Sequence, residues 1–371
     1  MQTEHIDLIS ASPGQRQVLT VLRYGHAGAE PKAMILAALH ADEVPAMLVA
    51  HKLRQLLADL EAQGQLRGQV ILVPYANPLG LSQHLLGLHQ GRFDLRDGIN
   101  FNRNVPDLTA AVVTAVQGRL GADAGSNTTL VRQAMRDAAA ALRAQDPVND
   151  LKNRLLQLAV DSDIVLDLHC DSQAVMHLYA LTPQADLAQE LGALLGAQAI
   201  LLATESGDSP FDEACSRPWL QLQERFPSHA IPLGCFSTTI ELRGESDTDH
   251  ALALQDARAI VEFLRRRGLI AGAPGPLPAA LCQPTPLAAS EPITAPRAGV
   301  VVFHKAPGSR VEAGDVVADL VDVDTGAVEA LRAHSAGVLY ARVATRWATP
   351  GKRLAKVAGT LLVRTGKLLG A

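Results

Sequence analysis

AMILAALHADEVPAMLVAHKLRQLLADLEAQ, residues 33–63, holds the pattern that decides the fold. Residues 33–39 are uniformly apolar and read as a buried strand. Residues 44–63 then space apolar side chains as a helix does, with charges on one face. His40, Asp42 and Glu43 interrupt the apolar sequence at the seam between them. A carboxylate there is explained equally by a helix start, where it satisfies free N–H groups and the dipole, and by half of a metal site. The rest of the chain has to separate these two explanations.

The strand-then-helix alternation continues to about residue 270. Residues 68–78, GQVILVPYANP, read as a second strand closed by Asn77-Pro78. TLVRQAMRDAAAALRAQ and DLKNRLLQLAV read as helices, DIVLDLHCD (163–171) as a strand, ADLAQELGALLG as a helix and CFSTTIELRG (235–244) as a strand. Residues 249–269 close this part as a helix with a basic C-terminal end, which suits the helix dipole. The alternation predicts an α/β domain with a parallel or mixed sheet over residues 1–270.

Composition changes after Gly268. Residues 271–299 are rich in Pro, Ala and Gly and read as a linker or wrapping segment. Residues 300–371 read as short alternating strands with glycine turns, a small all-β domain. This end resembles the barrel-sandwich hybrid of biotinyl and lipoyl domains. Those carriers place a lysine on a hairpin tip, and the tip here, Asp322-Val323-Asp324-Thr325-Gly326, has none. A structural cap is expected rather than a prosthetic-group carrier.

The bulk numbers narrow the function classes. With 371 residues, 48% hydrophobic and 19% charged, the chain can bury a sizeable core and suits two domains. A net charge of −5 lacks the basic footprint of a nucleic-acid binder. Cys170, Cys215, Cys235 and Cys282 are widely spaced with no CxxC pair, which predicts reduced thiols. No segment approaches the roughly 20 apolar residues of a membrane span, and the N-terminus lacks the apolar centre of a secretory signal. A cytoplasmic protein with no membrane partner is expected; a homo-oligomer stays open.

Open α/β sheets place their sites at the C-terminal ends of strands. There the strands read above carry His40 with Glu43, then His169, then Glu241. Two histidines and a carboxylate form a catalytic zinc ligand set with one open position, and a nearby free glutamate is the usual general base. His-x-x-Glu alone is weak, and His169 alone also fits an ordinary hydrogen-bonded histidine. Asp167 alternates onto the same strand face as His169 and is either an acceptor that orients it or a plain strand-end aspartate.

Taken in order, LHADE, RFDLRDGINFNRNVP, VLDLHCD and TIELRG resemble the succinylglutamate desuccinylase/aspartoacylase family, in its predicted-deacylase branch of the zinc carboxypeptidase-like superfamily. The resemblance implies a mixed-sheet zinc-carboxypeptidase-like fold and one Zn2+ per subunit, held by His40, Glu43 and His169. It implies Glu241 as the catalytic glutamate and Asn102-Arg103 as the pair that holds a substrate carboxylate. A guanidinium fork and an amide donor suit that task. The family also uses an upstream arginine to polarise the scissile carbonyl. Arg92 and Arg96 compete for this role, and the Arg-Phe…Asp-Gly layout favours Arg92. NFNR and HADE depart from the more usual Asp-Leu-Asn-Arg and His-Gly-Asp-Glu, so specificity does not simply carry over.

The expected activity is amide hydrolysis of an N-acyl amino acid or related small amide. The alternatives are a carboxypeptidase-type exopeptidase and a non-catalytic binding protein. Residues 205–219, ESGDSPFDEACSRPW, read as a long acidic loop. With Asp171, Asp208, Asp212, Glu213, Glu245 and Asp247 it is either solvated or shapes a pocket for a basic amine part. Arg217 is a candidate for a second carboxylate. One substrate satisfying both charges is a storage polymer of aspartate and arginine, cut into aspartyl-arginine dipeptides.

Overall fold

The computed structural model describes residues 1–369. A nine-stranded mixed sheet runs through the first part of the chain, in the order Gln2–Asp7, Val18–Tyr24, Gln69–Val73, Lys32–Ala37, Ile164–Asp171, Phe236–Gly244, Met176–Leu181, Ala199–Ala203 and Thr285–Pro286. Its centre is parallel: Lys32–Ala37 pairs with Gln69–Val73 and Ile164–Asp171, and Ile164–Asp171 pairs with Phe236–Gly244. Met176–Leu181 runs antiparallel to Phe236–Gly244.

Helices cover both faces, which explains the continuous apolar runs of the central strands. Pro45–Ala62, Ala185–Leu195 and His250–Arg266 pack on one face. Ala124–Ala141, Pro147–Ala159 and Phe211–Arg225 pack on the other. In Ile164–Asp171, the side chains of Ile164, Leu166 and Leu168 enter the first core. Val165 enters the second, and strand alternation sends Asp167 and His169 the same way.

Two local devices present the seam residues. Ala38, just beyond its strand, has φ 57°, a costly conformation for a residue with a Cβ, and it turns the chain toward His40. Gly91 packs against that turn and accepts a hydrogen bond from Ala41 N at 3.0 Å. A Cβ at Gly91 would lie 2.1 Å from Asp42 N, so only glycine permits the approach.

The segment expected as a long acidic loop is shorter than that. Phe211–Arg225 is a helix, and Asp212 and Glu213 fill its first turn, where the dipole favours acids. Pro218 lies inside this helix and hid it from sequence patterning. Trp219, fully buried, anchors the helix in the second core. A Cβ on Gly234 would come within 2.5 Å of its ring.

Two four-stranded antiparallel paths make up the C-terminal β region. One runs Ser290–Thr294, Arg353–Gly359, Gly337–Arg342, Arg310–Val311; the other runs Val328–Arg332, Val316–Val321, Gly299–Phe303, Trp347–Ala348. They enclose a separate core that includes Val301, Val317, Leu320, Leu339 and Val357. The Pro-rich stretch 271–299 carries structure of its own: Thr285–Pro286 extends the large sheet and Ser290–Thr294 opens the β region. This region docks on the large sheet through Gln173–Ala174, which pairs with Gly337–Arg342, and through the ion pair of Lys356 with Asp171 at 2.5 Å. No helix among the described residues is long and apolar enough to cross a membrane.

Candidate active site

His40 leaves the turn after Lys32–Ala37, Glu43 stands just before helix Pro45–Ala62, and His169 lies near the end of Ile164–Asp171. The three converge in one buried cluster whose ligand atoms all lie within 4.8 Å of one another. His40 Nδ1 lies 2.8 Å from Glu43 Oε1, and His169 Nδ1 lies 2.7 Å from Glu43 Oε2. Cys170 N donates to Glu43 Oε2 at 3.0 Å.

The other ring nitrogens lie beside polar groups outside the cluster. His40 Nε2 lies 2.9 Å from Asn100 Oδ1, and Asp167 Oδ2 lies 3.0 Å from His169 Nε2. Each ring therefore turns Nδ1, not Nε2, toward the Glu43 carboxylate. Two imidazole nitrogens and a carboxylate this close are held together by a cation or by protons between them. The donor set, two imidazoles and a carboxylate with oriented rings, fits a zinc ion.

Burial and neighbouring charge shape the cluster further. Burial and the Arg92 charge push the His40 imidazole down to about 4. Burial opposes ionisation of Glu43, yet the two imidazoles hold its carboxyl well below the usual range. Burial also opposes a charge on His169, but Asp167 and Glu43 hold its imidazole well above its ordinary value.

Glu241 sits on Phe236–Gly244, directly across from His169 on one side and His177 on the other. Its Oε2 is buried without a hydrogen-bond partner. Burial, reinforced by Glu43, pushes its carboxyl up to about 8. A carboxyl that holds a proton near neutrality and has no fixed partner is equipped to exchange protons with a bound molecule.

The arginines part company. Arg92 Nη1 lies 3.2 Å from Glu43 Oε1 and 3.1 Å from His40 Nδ1, at the rim of the cluster. Arg96 instead folds onto Asp94, with Nε 2.9 Å from Oδ2, and does not line the cavity. Arg103 is buried and lines the cavity; its Nη1 donates to Asn102 O at 2.7 Å, and burial lowers its pKa. The Asn102 side chain bridges two elements, with Nδ2 3.3 Å from His169 Nε2 and Oδ1 accepting from Phe211 N at 2.8 Å. Arg217 pairs with Glu205 at 2.9 Å, outside this cavity.

Of the acids expected around the pocket, Asp171, Asp212, Glu213 and Glu245 line the cavity. Asp171 is engaged by Lys356, and Glu213 accepts from Ser206 N at 2.7 Å. Asp212 is buried, and burial and Glu213 push its carboxyl up to about 7. Asp208 pairs with Lys367 and does not line the cavity, and Asp247 turns back to Gly244 N. Sequence reasoning missed Asn100, which fixes His40, and Lys356, Arg353 and Leu369, which line the cavity from the C-terminal region. Asn100 was findable as the first of the two asparagines in GINFNR; the other three carry no motif.

A nine-stranded mixed sheet sandwiched by helices, with a buried His–Glu–His cluster at its strand ends, defines an α/β protein with a candidate metal site. Residues 29–266 match the succinylglutamate desuccinylase/aspartoacylase catalytic domain, and the chain belongs to that family. It is similar to a family protein from Shewanella amazonensis SB2B at 29% identity, with a TM-score of 0.86 over 96% of this chain and 98% of that one. A second, from Shewanella frigidimarina NCIMB 400, has 25% identity and the same TM-score, over 96% of this chain and 97% of that one. The ectoine utilization protein EutE (DoeB) from Ruegeria pomeroyi shares the fold at 18% identity and TM-score 0.69, over 96% of this chain and 95% of that one. No curated protein matches the chain. Family membership supports a hydrolase role.

Proposed function

We propose that this chain is a zinc-dependent hydrolase that cleaves an amide bond of an N-acyl amino acid or a related small amide bearing a carboxylate. The observation that carries this is the convergence of His40 Nδ1 and His169 Nδ1 on one buried Glu43 carboxylate, with Glu241 across the strand pair. A zinc ion, one per subunit, held by His40, Glu43 and His169, supplies Lewis acidity toward the scissile carbonyl and acidifies water.

The chain's own residues do the rest. Glu241, ionised when the cation offsets the Glu43 charge that raises it, accepts the proton of the attacking water and delivers it to the leaving nitrogen. Arg92, fixed beside Glu43, faces the negative charge that grows on the carbonyl oxygen. Arg103 reads the substrate carboxylate, with Asn102 fixing the segment beside it.

Asp212 favours a second reading of the same site, an exopeptidase acting on peptides that carry basic residues. It lines the cavity and is buried, so a guanidinium or ammonium on the substrate would offset the cost of its charge there. An aspartyl-arginine unit from a storage polymer carries both the carboxylate and the cation.

A hydrolysis screen of N-acyl amino acids beside basic dipeptides, with and without chelator, tests the proposal. Hydrolysis lost on chelation and restored by zinc is expected. A purified protein that holds no zinc and cleaves neither class would return it to a binding role.

A further inference from the structure

The last described segment, residues 363–369, lies across the rim of the candidate site rather than trailing from the β region. Val363 N and Arg364 N donate to Ala288 O at 3.0 Å each, and Leu368 N and Leu369 N both donate to Ser206 O, at 2.8 and 3.0 Å. The Leu368 side chain is buried among Val175, Tyr179, Leu201, Leu287 and Tyr340. Leu369 lines the cavity itself.

The segment grips a loop that would not hold its shape alone. Gly207, Asp208 and Ser209 all have positive φ, at 106°, 59° and 44°. Two of these carry a Cβ, and successive left-handed residues persist only where their surroundings over-determine them. Here Lys367 pairs with Asp208, and its side chain lies where a Cβ on Gly207 would stand, 2.7 Å from Cγ. On its other side the same loop holds the substrate-reading segment: Asn104 N donates to Asp208 O at 2.7 Å, and Val105 N donates to Ser209 O at 3.0 Å. Arg103 directly precedes this pair.

We propose that residues 363–369 are a positioning strap that clamps the loop Ser206–Ser209 and through it sets Arg103 for carboxylate recognition, while Leu369 closes the cavity on that side. This rests on the assignment of Arg103 to the substrate carboxylate. Backbone hydrogen bonds carry the coupling from the strap to Asn104, so it is measurable with no substrate present.

The test uses Leu368→Asp in the full zinc-loaded chain, with a chain ending at Thr365 as a second variant should the first fold poorly. Amide hydrogen exchange at Asn104 and Val105 is expected to quicken by about tenfold or more, while amides of Ile164–Asp171 keep their protection. On the substrate returned by the hydrolysis screen, KM should rise about fivefold or more with kcat nearly constant, the mark of lost binding alone. The strap is overturned if Leu368 and Leu369 lose protection, or are removed by truncation, while Asn104 and Val105 keep theirs. It is equally overturned if those amides relax and KM does not move while Arg103→Ala raises it. Should Arg103→Ala itself leave KM unchanged, the carboxylate assignment fails, and the exchange rates still decide whether the strap holds the loop.

Discussion

Glu241 and His169 are register partners on adjacent parallel strands, and alternation sends both side chains to the same face of the sheet. A proposed proton carrier and a proposed zinc ligand are thereby held on the most rigid part of the fold. Their spacing is set by backbone hydrogen bonding rather than by loop conformation.

This arrangement predicts that Glu241→Gln separates chemistry from metal binding. Gln keeps the shape but cannot exchange a proton, so kcat should fall by about a hundredfold to ten-thousandfold. Zinc content, measured by elemental analysis, should stay at one per chain. Near-normal turnover in the variant would remove Glu241 from the reaction.

The groups behind the histidines should tune metal affinity. Asp167 lies 3.0 Å from His169 Nε2, and Asn100 Oδ1 lies 2.9 Å from His40 Nε2. Either Asp167→Asn or Asn100→Ala should weaken zinc binding by about 10–100-fold. Competition with a calibrated chelator reads this directly. Unchanged affinity in both would mean that the rings are oriented by packing alone.

The seam residues were legible because strand periodicity and strand ends are local patterns: 33–39, 163–171 and 235–244 each deliver a polar residue where an apolar run stops. The structure brings His40, Glu43, His169 and Glu241 into one place. What stayed hidden is non-local or masked. Pro218 obscured the helix that carries Asp212. Lys356 and Leu369 reach the cavity from the C-terminal part of the chain, and no periodicity announces a contact so distant in sequence. Arg92 and Arg96 differ by only four positions in one loop, and what parts them is the neighbouring Asp94, which captures Arg96.

A pH effect on stability should come from Glu291 in the β region. Its carboxylate is buried and accepts from His334 N, His334 Nδ1, Ser335 N and Ser335 Oγ at 2.6–2.8 Å. Burial opposes the charge, but these donors hold its carboxyl below the usual range. A depressed folded pKa stabilises at pH values above the unfolded value, about 4.3 for glutamate, and that stabilisation is lost as pH falls through the folded value. Glu291→Gln should cost about 1–3 kcal/mol at neutral pH, and the difference from wild type should shrink on acidification below 4. Thermal melts at both pH values check it; a variant gap that does not narrow in acid would rule out the ionised form as its source.

Substrate charge should be read at Asp212. Glu213 is tied to Ser206, Asp171 to Lys356 and Asp208 to Lys367, whereas Asp212 is a buried carboxyl on the cavity wall. A cationic substrate group that meets it gains a charge-assisted hydrogen bond, worth about 1.5–3 kcal/mol. Asp212→Asn should therefore raise KM for arginine-containing dipeptides by about 10–100-fold, the same energy expressed as affinity. N-acyl amino acids without a cation should keep their KM, because Arg103 and the metal cluster are untouched. Assaying both substrate classes on wild type and variant separates the two readings of the site. A uniform rise in KM for both classes would mean that Asp212 shapes the pocket wall and does not read charge.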